Sequence, residues 1–390
     1  MKILHTVEFY YPSVGGAQEV VRHLSEQMVR MGHDVTVATT KLPARERLTH
    51  NGVRIAEFAI SGNRVRGIEG DSGEYHRFLT SGAFDVVMNY AAQQWATDLA
   101  FDVIDQVDAT KVLVPCGYSA FYDPAYERYF AELPDILRKY DATVYLGEEY
   151  RDIDFARRHG LGNIHVIPNG ADEIEFNDPL TADEKMELRR KHGVDGVMIM
   201  TVANYTGEKG HAELLHVFKR LPLRATLVSA GSTTPGIGCF DAFQDEAGRI
   251  NGSRRLPAKR VVMVEGRDRP LVCDMLKCAD LFVFLSNIEA SPLVLFEAAA
   301  AGVPFIASDA GNSREIAKWT NGGVIVNSLP RPNGRVKANL LNALWKTTRL
   351  ARDEERRRAM GAAAREAWQR RFTWERLASD YFELYAGSRK

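Results

Sequence analysis

The sequence predicts an α/β protein built from two doubly wound parallel sheets. Its 390 residues are too many for one ordinary hydrophobic core. Short apolar runs alternate with amphipathic segments along the chain, which is typical of parallel strands connected by helices on both faces of a sheet. The alternation stops once, at the turn Pro168–Ala171, and then begins again. Two sheets in succession explain this interruption.

The first series opens with a strand over Ile3–Val7 and a helix over Ala17–Met31, in which apolar residues recur at helical spacing. Further helices are predicted over Trp95–Val107 and Tyr150–His159. The other strands of this series are predicted at Asp34–Ala38, Val53–Ile60, Phe84–Met88, Lys111–Val114, Thr143–Leu146 and Ile164–Ile167.

The second series follows a helix that we expect to begin near Thr181, where Thr-Ala-Asp-Glu resembles a capping box. Helices over Leu341–Arg371 and Thr373–Tyr385 close the chain. We therefore predict an N-terminal domain over residues 1–168, a C-terminal domain over residues 169–371 and a final helix within residues 372–390. The strands of the second domain are predicted at Val197–Val202, Ala225–Ser229, Arg260–Val264, Leu281–Leu285, Pro304–Ala307 and Gly323–Val326.

Composition excludes several classes of partner and location. With a formal net charge of −1, the chain has no global field that attracts nucleic acid. No stretch approaches the 18 or so apolar residues of a membrane span, and the N-terminus is more typical of a first strand than of a signal peptide. The four scattered cysteines fit a reducing cytoplasm, and the ten dispersed histidines predict no metal site. We therefore expect a cytoplasmic protein.

One basic run stands out near the end of the chain. Nine basic and four acidic residues lie between Lys346 and Arg371. A solvated helix face explains such a run, and contact with an anionic membrane surface is the alternative. The alternative would place the protein peripherally at the inner face of a membrane.

The most informative stretch is EASPLVLFEAAAAG, residues 289–302. Ser291 is a favoured N-cap and proline fits the first helical position, so Glu289 is expected in a loop and Glu297 inside the helix. The free N–H groups of the first turn, including those of Leu293 and Val294, form a natural seat for a phosphate. Two carboxylates and a helix end suit a nucleotide-sugar pocket; a surface helix with a solvated Glu297 is the alternative.

Two further segments follow predicted strands. Gly15 and Gly16 lack the third glycine of a dinucleotide fingerprint, and no acidic residue ends the second strand, so a nicotinamide cofactor is not expected. Two glycines before a helix let the backbone approach a diphosphate or sugar, unless they only form a tight turn. Lys209, followed by Gly210, precedes a predicted helix and is placed to neutralise a diphosphate; an exposed surface lysine is the alternative.

Taken together, these features resemble one family: the two-domain layout, the double glycine, the Glu-Lys-Gly segment at 208–210, the paired glutamates with EAAAAGVPFIASD, and the ending FTWERLASDYFELY. They resemble the retaining glycosyltransferases of family 4 (group 1), which have the GT-B fold. The resemblance covers nearly the whole chain and is most specific over Ala279–Glu315. It implies two Rossmann-like domains that face each other across a cleft, with the final helix packed back on the first domain.

The resemblance also implies roles for individual residues. Glu289 would bind hydroxyls of the donor sugar, Glu297 the ribose, and Lys209 the diphosphate, which Gly16 would approach from the opposite domain. The turn at Gly266-Arg267 would hold the nucleobase. The donor-side residues implied are Gly15, Gly16, Asn204, Lys209, Gly210, Arg267, Glu289, Ser291, Leu293, Val294 and Glu297, with Lys209 and Glu289 as the catalytic pair.

Two positions depart from the family pattern. A basic residue commonly stands where this chain has Asn204, and a histidine often stands where it has Cys116. Acceptor specificity is expected in first-domain loops over Asn89–Trp95, Gly117–Tyr126 and Arg64–Tyr75. The acceptor-side residues predicted are Asn89, Tyr90, Cys116, Gly117 and Tyr118.

The reaction implied is transfer of a sugar from a UDP- or GDP-linked donor to an acceptor hydroxyl with retained configuration. The acceptor would be a carbohydrate or a lipid-linked saccharide, as in bacterial-type polysaccharide or glycoconjugate synthesis. No cofactor or metal is expected, because a departing phosphate oxygen can take the acceptor's proton and the implied reaction then requires neither a protein base nor a metal. The alternatives are a GT-B nucleotide-sugar epimerase and a catalytically degenerate scaffold that binds nucleotide sugar; a glucan phosphorylase would need a far longer chain.

Overall fold

The computed structural model describes residues 1–236, 238–253 and 257–388. The chain divides into two compact units. Unit 1 consists of Met1–Asn169 and the C-terminal segment that begins at Trp374, and unit 2 is Gly170–Thr373. These boundaries fall one and two residues beyond those predicted, at 168 and 371.

Unit 1 contains an eight-stranded sheet, and its strands are parallel except for β3, which runs antiparallel to β4. The strands of unit 1, including the two that lie outside this sheet, are β1 Lys2–Thr6, β2 Asp34–Thr40, β3 Thr49–His50, β4 Val53–Phe58, β5 Ser61–Asn63, β6 Gly67–Glu69, β7 Val86–Tyr90, β8 Thr110–Val114, β9 Ala142–Tyr145 and β10 Ile164–Val166. Their order is β10-β9-β8-β7-β1-β2-β4-β3, and β5–β6 form a separate hairpin. The chain order therefore reverses between β1 and β7.

Helices cover this sheet because their apolar residues recur on one side. They are α1 Gly16–Arg30, α2 Ser72–Ser81, α3 Trp95–Val103, α4 Glu127–Leu137 and α5 Arg151–Arg158. In α1, for example, Val20, Val21, Leu24 and Met28 are buried. The predicted helix over Trp95–Val107 ends earlier as an α-helix and continues as a 3₁₀ turn over Ile104–Gln106.

Unit 2 contains a six-stranded, fully parallel sheet. Its strands are β11 Val197–Val202, β12 Ala225–Gly231, β13 Lys259–Glu265, β14 Leu281–Phe284, β15 Phe305–Ser308 and β16 Gly323–Val326, followed by a hairpin of β17 Ser328–Pro330 and β18 Val336–Ala338. The sheet order β13-β12-β11-β14-β15-β16 is that of a doubly wound nucleotide-binding fold. The reversal lies between β11 and β14.

The helices of unit 2 are α6 Glu173–Phe176, α7 Ala182–Lys191, α8 His211–Arg220, α9 Phe240–Asn251, α10 Arg269–Cys278, α11 Leu293–Ala300, α12 Ser313–Thr320, α13 Leu340–Arg352 and α14 Glu354–Arg371. The predicted capping box is present, because the Thr181 side chain and Glu184 exchange hydrogen bonds with each other's backbone.

The single helix predicted over Leu341–Arg371 is wrong. The chain breaks at Asp353, whose side chain accepts a hydrogen bond from the backbone N–H of Arg356 and caps α14. An aspartate inside a helical pattern favours such a cap over helix continuation, because its carboxylate satisfies free N–H groups at a new helix start.

The final helix, α15 Trp374–Gly387, packs on unit 1. Trp374 stacks on His23 of α1 with ring centroids 5.1 Å apart, and Tyr385 places its hydroxyl 3.1 Å from Nε2 of His5. His5 is fully buried, and burial lowers its pKa to about 3. The neutral imidazole thus ties the first strand to the last helix. Within the described residues, no helix is long and apolar enough to cross a membrane.

Candidate nucleotide-sugar site and acceptor loops

Several of the predicted donor residues lie at the point in unit 2 where the strand order reverses. The loop with Lys209 follows β11, and the loop with Glu289 follows β14. These two strands are neighbours in the sheet, and ligands of open α/β sheets bind at the carboxyl ends of strands at such a reversal. Residues 80 positions apart in sequence are therefore brought to one place.

Lys209 and Glu289 form an ion pair, with Nζ 2.7 Å from Oε1. The lysine is positioned by Gly210, which has φ 74° and initiates α8. A Cβ at this glycine would lie 1.9 Å from the carbonyl oxygen of Leu285, so the loop approaches β14 as closely as only glycine permits. The pair places one ammonium group and one carboxylate side by side at the end of the sheet.

Ser286 holds Glu289 in place. This fully buried residue donates a hydrogen bond from its hydroxyl to Oε1 of Glu289 at 2.7 Å. Ser308 in turn donates to the carbonyl oxygen of Ser286. The Ser286 hydroxyl has one proton to donate, and Oε1 of Glu289 is the nearest of its three acceptors, ahead of the carbonyl oxygens of Ile288 at 3.1 Å and Glu208 at 3.4 Å. The sequence analysis missed Ser286, although its position directly after a buried strand was a usable signal.

The helix that follows begins one residue later than expected. Helix α11 starts at Leu293, with Pro292 at the cap position and an extended backbone at ψ 113°. The prediction that Ser291 is the N-cap is therefore wrong. The backbone N–H groups of Leu293 and Val294 lie in the first turn, where no intrahelical acceptor exists, and both residues are only half-buried. The N-terminus of α11, the predicted phosphate seat, thus lies four residues after Glu289.

Glu297 is buried inside α11, not solvated. Only 8% of its surface is exposed, and Oε1 accepts a hydrogen bond from the Arg269 guanidinium at 2.7 Å. The same guanidinium binds both carboxylate oxygens of Glu175, at 2.9 and 2.5 Å. Oε2 of Glu297 is buried and has no hydrogen-bond partner among the described residues. The site therefore presents one anchored carboxylate with one free oxygen.

Electrostatics favour this arrangement. Burial lowers the pKa of Arg269, but the carboxylates of Glu297 and Glu175 raise it more, so the pKa stays well above the usual value. The guanidinium also lies over the Phe176 ring, 5.9 Å from its centroid. A permanently charged arginine can therefore hold the Glu297 side chain in one orientation. No sequence pattern predicted this three-residue cluster.

Two other predicted donor residues lie at neighbouring strand ends. Arg267 is exposed in the turn after β13, where Gly266 donates its backbone N–H to Gly231. Asn204 is exposed after β11, and its Oδ1 accepts a hydrogen bond from the backbone of Ser232 at 3.3 Å. Neither residue contacts the Lys209–Glu289 pair in the described contacts, so their roles stay predictions.

In unit 1, Gly15 and Gly16 lie at the start of α1, after β1. Gly15 caps the helix, and a Cβ at Gly16 would meet no atom within 4 Å. The backbone at Gly16 is therefore open to a ligand. Whether it approaches a diphosphate stays a prediction.

Three of the five acceptor residues are inaccessible, which corrects that prediction. Asn89 is fully buried, donates to the Thr6 hydroxyl and accepts from Tyr140, both at 2.8 Å. Tyr90 and Tyr118 are each 1% exposed. The error arose because β7 runs through to Tyr90, so Asn89 still belongs to the sheet interior and not to the loop.

Cys116 and Gly117 do lie in the loop after β8. Cys116 is half-buried, and burial raises the pKa of its thiol to about 12, so it is neutral. The backbone N–H of Gly117 donates to Asp152 at 2.8 Å. Burial raises the pKa of Asp152 to about 6, although backbone hydrogen bonds from Ile153 and Gly117 oppose the shift.

Left-handed backbone is concentrated in the same loops. Ala91, Gln93, Cys116 and Tyr118 have φ of 67°, 67°, 60° and 46°, a conformation that residues other than glycine rarely adopt. Such strain persists where a surrounding structure requires it and is common at functional sites. Gln93 also has a buried Nε2 without a partner among the described residues. The loops after β7 and β8 are therefore the strongest acceptor-side candidates of unit 1.

The part of the chain that the structure describes contains no group of three His, Cys, Asp or Glu side chains able to hold an ion.

The class of protein follows from these features and from comparison with known proteins. The profile described as "Glycosyl transferases group 1" matches residues 184–367, and that described as "Glycosyltransferase Family 4" matches residues 14–174. The HepE protein of Anabaena, solved in complex with UDP-glucose, shares the fold with a TM-score of 0.76 and 15% identity over 99% of this chain and 100% of that chain. Unit 1 and unit 2 are thus the two domains of a GT-B glycosyltransferase.

The chain belongs to the group 1 glycosyltransferases of family 4. Among curated relatives, it is 30% identical to the D-inositol 3-phosphate glycosyltransferase of Xylanimonas cellulosilytica over 61% of this chain and 55% of that protein. It is 22% identical to the N-acetyl-alpha-D-glucosaminyl L-malate synthase of Bacillus anthracis over 96% of this chain and 94% of that protein. The match to the first relative spans little more than half of that protein's length.

Proposed function

We propose that this protein transfers a sugar from a nucleotide-diphosphate sugar to an acceptor hydroxyl with retention of anomeric configuration. One observation carries the proposal: Lys209 and Glu289 meet at 2.7 Å at the strand reversal of unit 2, next to the N-terminus of α11. An ammonium group and a helix end suit a diphosphate, and carboxylates suit sugar hydroxyls.

The chemistry requires stabilisation of charge that develops during bond breaking. The bond between the anomeric carbon and the diphosphate oxygen breaks, which leaves negative charge on the diphosphate and positive charge on the sugar ring. Lys209 and the amides of Leu293 and Val294 stabilise the first charge, and a fixed Glu289 orients the ring. The acceptor oxygen bonds the anomeric carbon on the face that the diphosphate leaves, and its proton passes to a departing phosphate oxygen.

The anchored carboxylate of Glu297 adds a recognition element. Its free Oε2 is suited to accept hydrogen bonds from the two ribose hydroxyls, because a buried carboxylate oxygen without a partner gains most from a donor. The donor is UDP- or GDP-linked, and a saccharide or lipid-linked saccharide is the acceptor. Two relatives are named for inositol 3-phosphate and L-malate. Small anionic acceptors of this kind should therefore be assayed together with saccharides and lipid-linked saccharides.

A thermal-shift panel of nucleoside diphosphates and their sugars tests the proposal. A ligand at 100 times its dissociation constant stabilises the folded protein by about 2.7 kcal/mol. We expect nucleoside diphosphates with one particular base to stabilise the folded protein strongly. The sugar nucleotide with that base should yield free nucleoside diphosphate and an α- or β-linked product whose anomeric configuration is unchanged. Absence of stabilisation across the panel would reject the donor site. Stabilisation without transfer or donor hydrolysis would instead identify a binding scaffold, and an altered sugar without acceptor an epimerase.

A further inference from the structure

One surface of unit 2 is not explained by the transfer reaction. The segment of residues 328–352, which holds the β17–β18 hairpin and α13, contains six basic residues and no acidic ones. They are Arg331, Arg335, Lys337, Lys346, Arg349 and Arg352. This local excess contrasts with a formal net charge of −1 for the whole chain.

Helix α13 has two distinct faces. Ala343, Thr347, Leu350 and Ala351 are buried against the unit. The opposite side presents Leu341, Trp345, Arg349 and Arg352, spaced 4, 4 and 3 residues apart and therefore on one stripe. We call these four residues the outer face of α13.

The outer face combines large apolar side chains with cations. Leu341 is 80% exposed and Trp345 is 56% exposed, unusually large values for such residues. The guanidinium of Arg349 lies 5.5 Å from the Trp345 ring centroid. Within the described residues, no ion pair joins Arg349 or Arg352 to a carboxylate, and Arg352 donates to the carbonyl oxygen of Pro222.

Several other basic residues of this region make contacts within the protein, among them Arg335 of the hairpin, which pairs with Glu208. Arg358 pairs with Glu354, and Arg357 is buried and donates to the carbonyl oxygens of Leu350 and Ala351. Arg365 donates to the carbonyl oxygen of Ala300 at 2.6 Å. The membrane contact that was the alternative for the run from Lys346 to Arg371 is therefore best placed on α13, where cations and exposed apolar side chains occur together.

We propose that the outer face of α13 docks on an anionic lipid membrane. An amphipathic helix with Trp and Leu beside Arg is the combination that binds at a charged bilayer surface, where indole sits at the headgroup level and cations meet anionic lipids. A second copy of the chain fits less well, because a symmetric contact would bring two stretches of the same positive charge together. The proposal does not depend on the transfer reaction.

Vesicle binding by the full chain tests the proposal that the outer face of α13 docks on an anionic membrane. The two vesicle types are pure phosphatidylcholine and a mixture with about 30% phosphatidylglycerol, which supplies an anionic surface. Trp345 is an internal probe, since Trp95, Trp368 and Trp374 are buried and Trp319 is half-buried. We expect co-sedimentation with the anionic vesicles only, a blue shift of tryptophan emission, and loss of binding in high salt.

Substitutions in the outer face of α13 test whether this face is the surface that binds the membrane. Arg349→Gln is expected to weaken binding to anionic vesicles about fivefold, and Trp345→Ser with Leu341→Ser about tenfold or more. Matched controls are Arg358→Gln, which removes an exposed arginine of α14, and Ile174→Ser, which removes an exposed apolar residue of the same unit. Both controls should bind as the parent protein does.

Several results would overturn the proposal. Equal binding to neutral and anionic vesicles, no binding to either, or unchanged binding by Trp345→Ser with Leu341→Ser each contradict it. A concentration-dependent dimer that the Trp345 variant abolishes would assign the outer face to a second copy instead.

Discussion

At the scale of single residues, the ion pair between Lys209 and Glu289 is central to the proposed function. A diphosphate must compete with Glu289 for the ammonium group, so the lysine is held ready in position while its charge is balanced. Ser286 keeps the carboxylate in place after the lysine is drawn to phosphate, because its hydroxyl bonds the same oxygen. Under the proposed function, the pair is therefore a preorganised part of the donor site.

Removal of either member should impair turnover more than folding. We predict that Lys209→Met lowers kcat about 10²–10³-fold, as loss of one charge-stabilising group does, and that Glu289→Gln lowers it by a similar factor. Thermal unfolding should change little, because the lysine side chain is 30% exposed. The measurement is product formation alongside melting.

The matched control is Lys219→Met, which breaks an exposed ion pair with Glu246 in the same unit. Its turnover should equal that of the parent protein. Normal kcat in Lys209→Met and Glu289→Gln would exclude both residues from the reaction.

The site residues that could be predicted from the sequence are those marked by a local pattern in the neighbouring residues. Glu289, Glu297 and Lys209 stand beside helix starts, which are local signals. Arg269 and Glu175 are 94 positions apart, and only the fold shows that they meet. Buried Asn89 shows the converse failure: the end of a strand can be read from sequence, but the residue at which side chains first reach solvent cannot.

At the scale of elements, the loops after β11 and β14 and the start of α11 together form the proposed donor site. Helix α10 contributes Arg269, which orients Glu297 from outside α11. Strand positions were predictable because apolar runs mark buried strands. The β5–β6 and β17–β18 hairpins were not predicted, since short exposed strands carry no such run.

The Arg269–Glu297 contact predicts a specific loss of ribose recognition. We expect the parent protein to bind its nucleoside diphosphate about 10- to 100-fold tighter than the 2′,3′-dideoxy form, because hydrogen bonds to a charged group contribute about 1.5–3 kcal/mol. In Arg269→Met this ratio should fall towards one. Calorimetric titration with both nucleotides measures it.

Two variants separate orientation from folding. Arg269→Lys keeps the charge but lacks the fork that spans Glu297 and Glu175, so it should restore only part of the ratio. Arg249→Met, on the exposed side of α9, should leave the ratio unchanged. A ratio that persists in Arg269→Met would show that Glu297 needs no partner or does not bind the ribose.

At the scale of the whole molecule, the chain leaves unit 1 and returns to it. The C-terminal helix α15 completes unit 1 through Trp374, Leu377, Tyr381 and Tyr385, which are all buried. Its existence was predictable from its amphipathic pattern, and its place of packing was expected only from the family resemblance. No local pattern shows that Tyr385 reaches His5, 380 residues away.

The contact between His5 and Tyr385 predicts how stability depends on pH. Burial lowers the pKa of His5 from 6.5 to about 3, so below pH 6.5 the unfolded chain takes up a proton that the folded protein does not. The stability contribution of His5 is therefore complete above pH 6.5 and is lost as pH falls towards 3. The slope amounts to at most about 1.4 kcal/mol per pH unit.

Urea unfolding at several pH values between 4.5 and 7.5 tests the predicted effect of His5 on the pH dependence of stability. The free energy of unfolding should fall more steeply with acid in the parent protein than in His5→Gln. The control His165→Gln, at an exposed position of β10, should keep the parent slope. Parallel slopes in parent and His5→Gln would show that the buried imidazole does not resist protonation.

The most direct test of the donor site is calorimetric titration of a nucleoside monophosphate and diphosphate into the parent protein and Lys209→Met. With the base identified by the thermal-shift panel, we predict that the parent protein prefers the diphosphate by about tenfold or more, since an ammonium group bonds the added phosphate. Lys209→Met should lose most of that preference while still binding the monophosphate. An equal preference in both proteins, or no binding of any nucleoside diphosphate to the parent, would contradict the assignment.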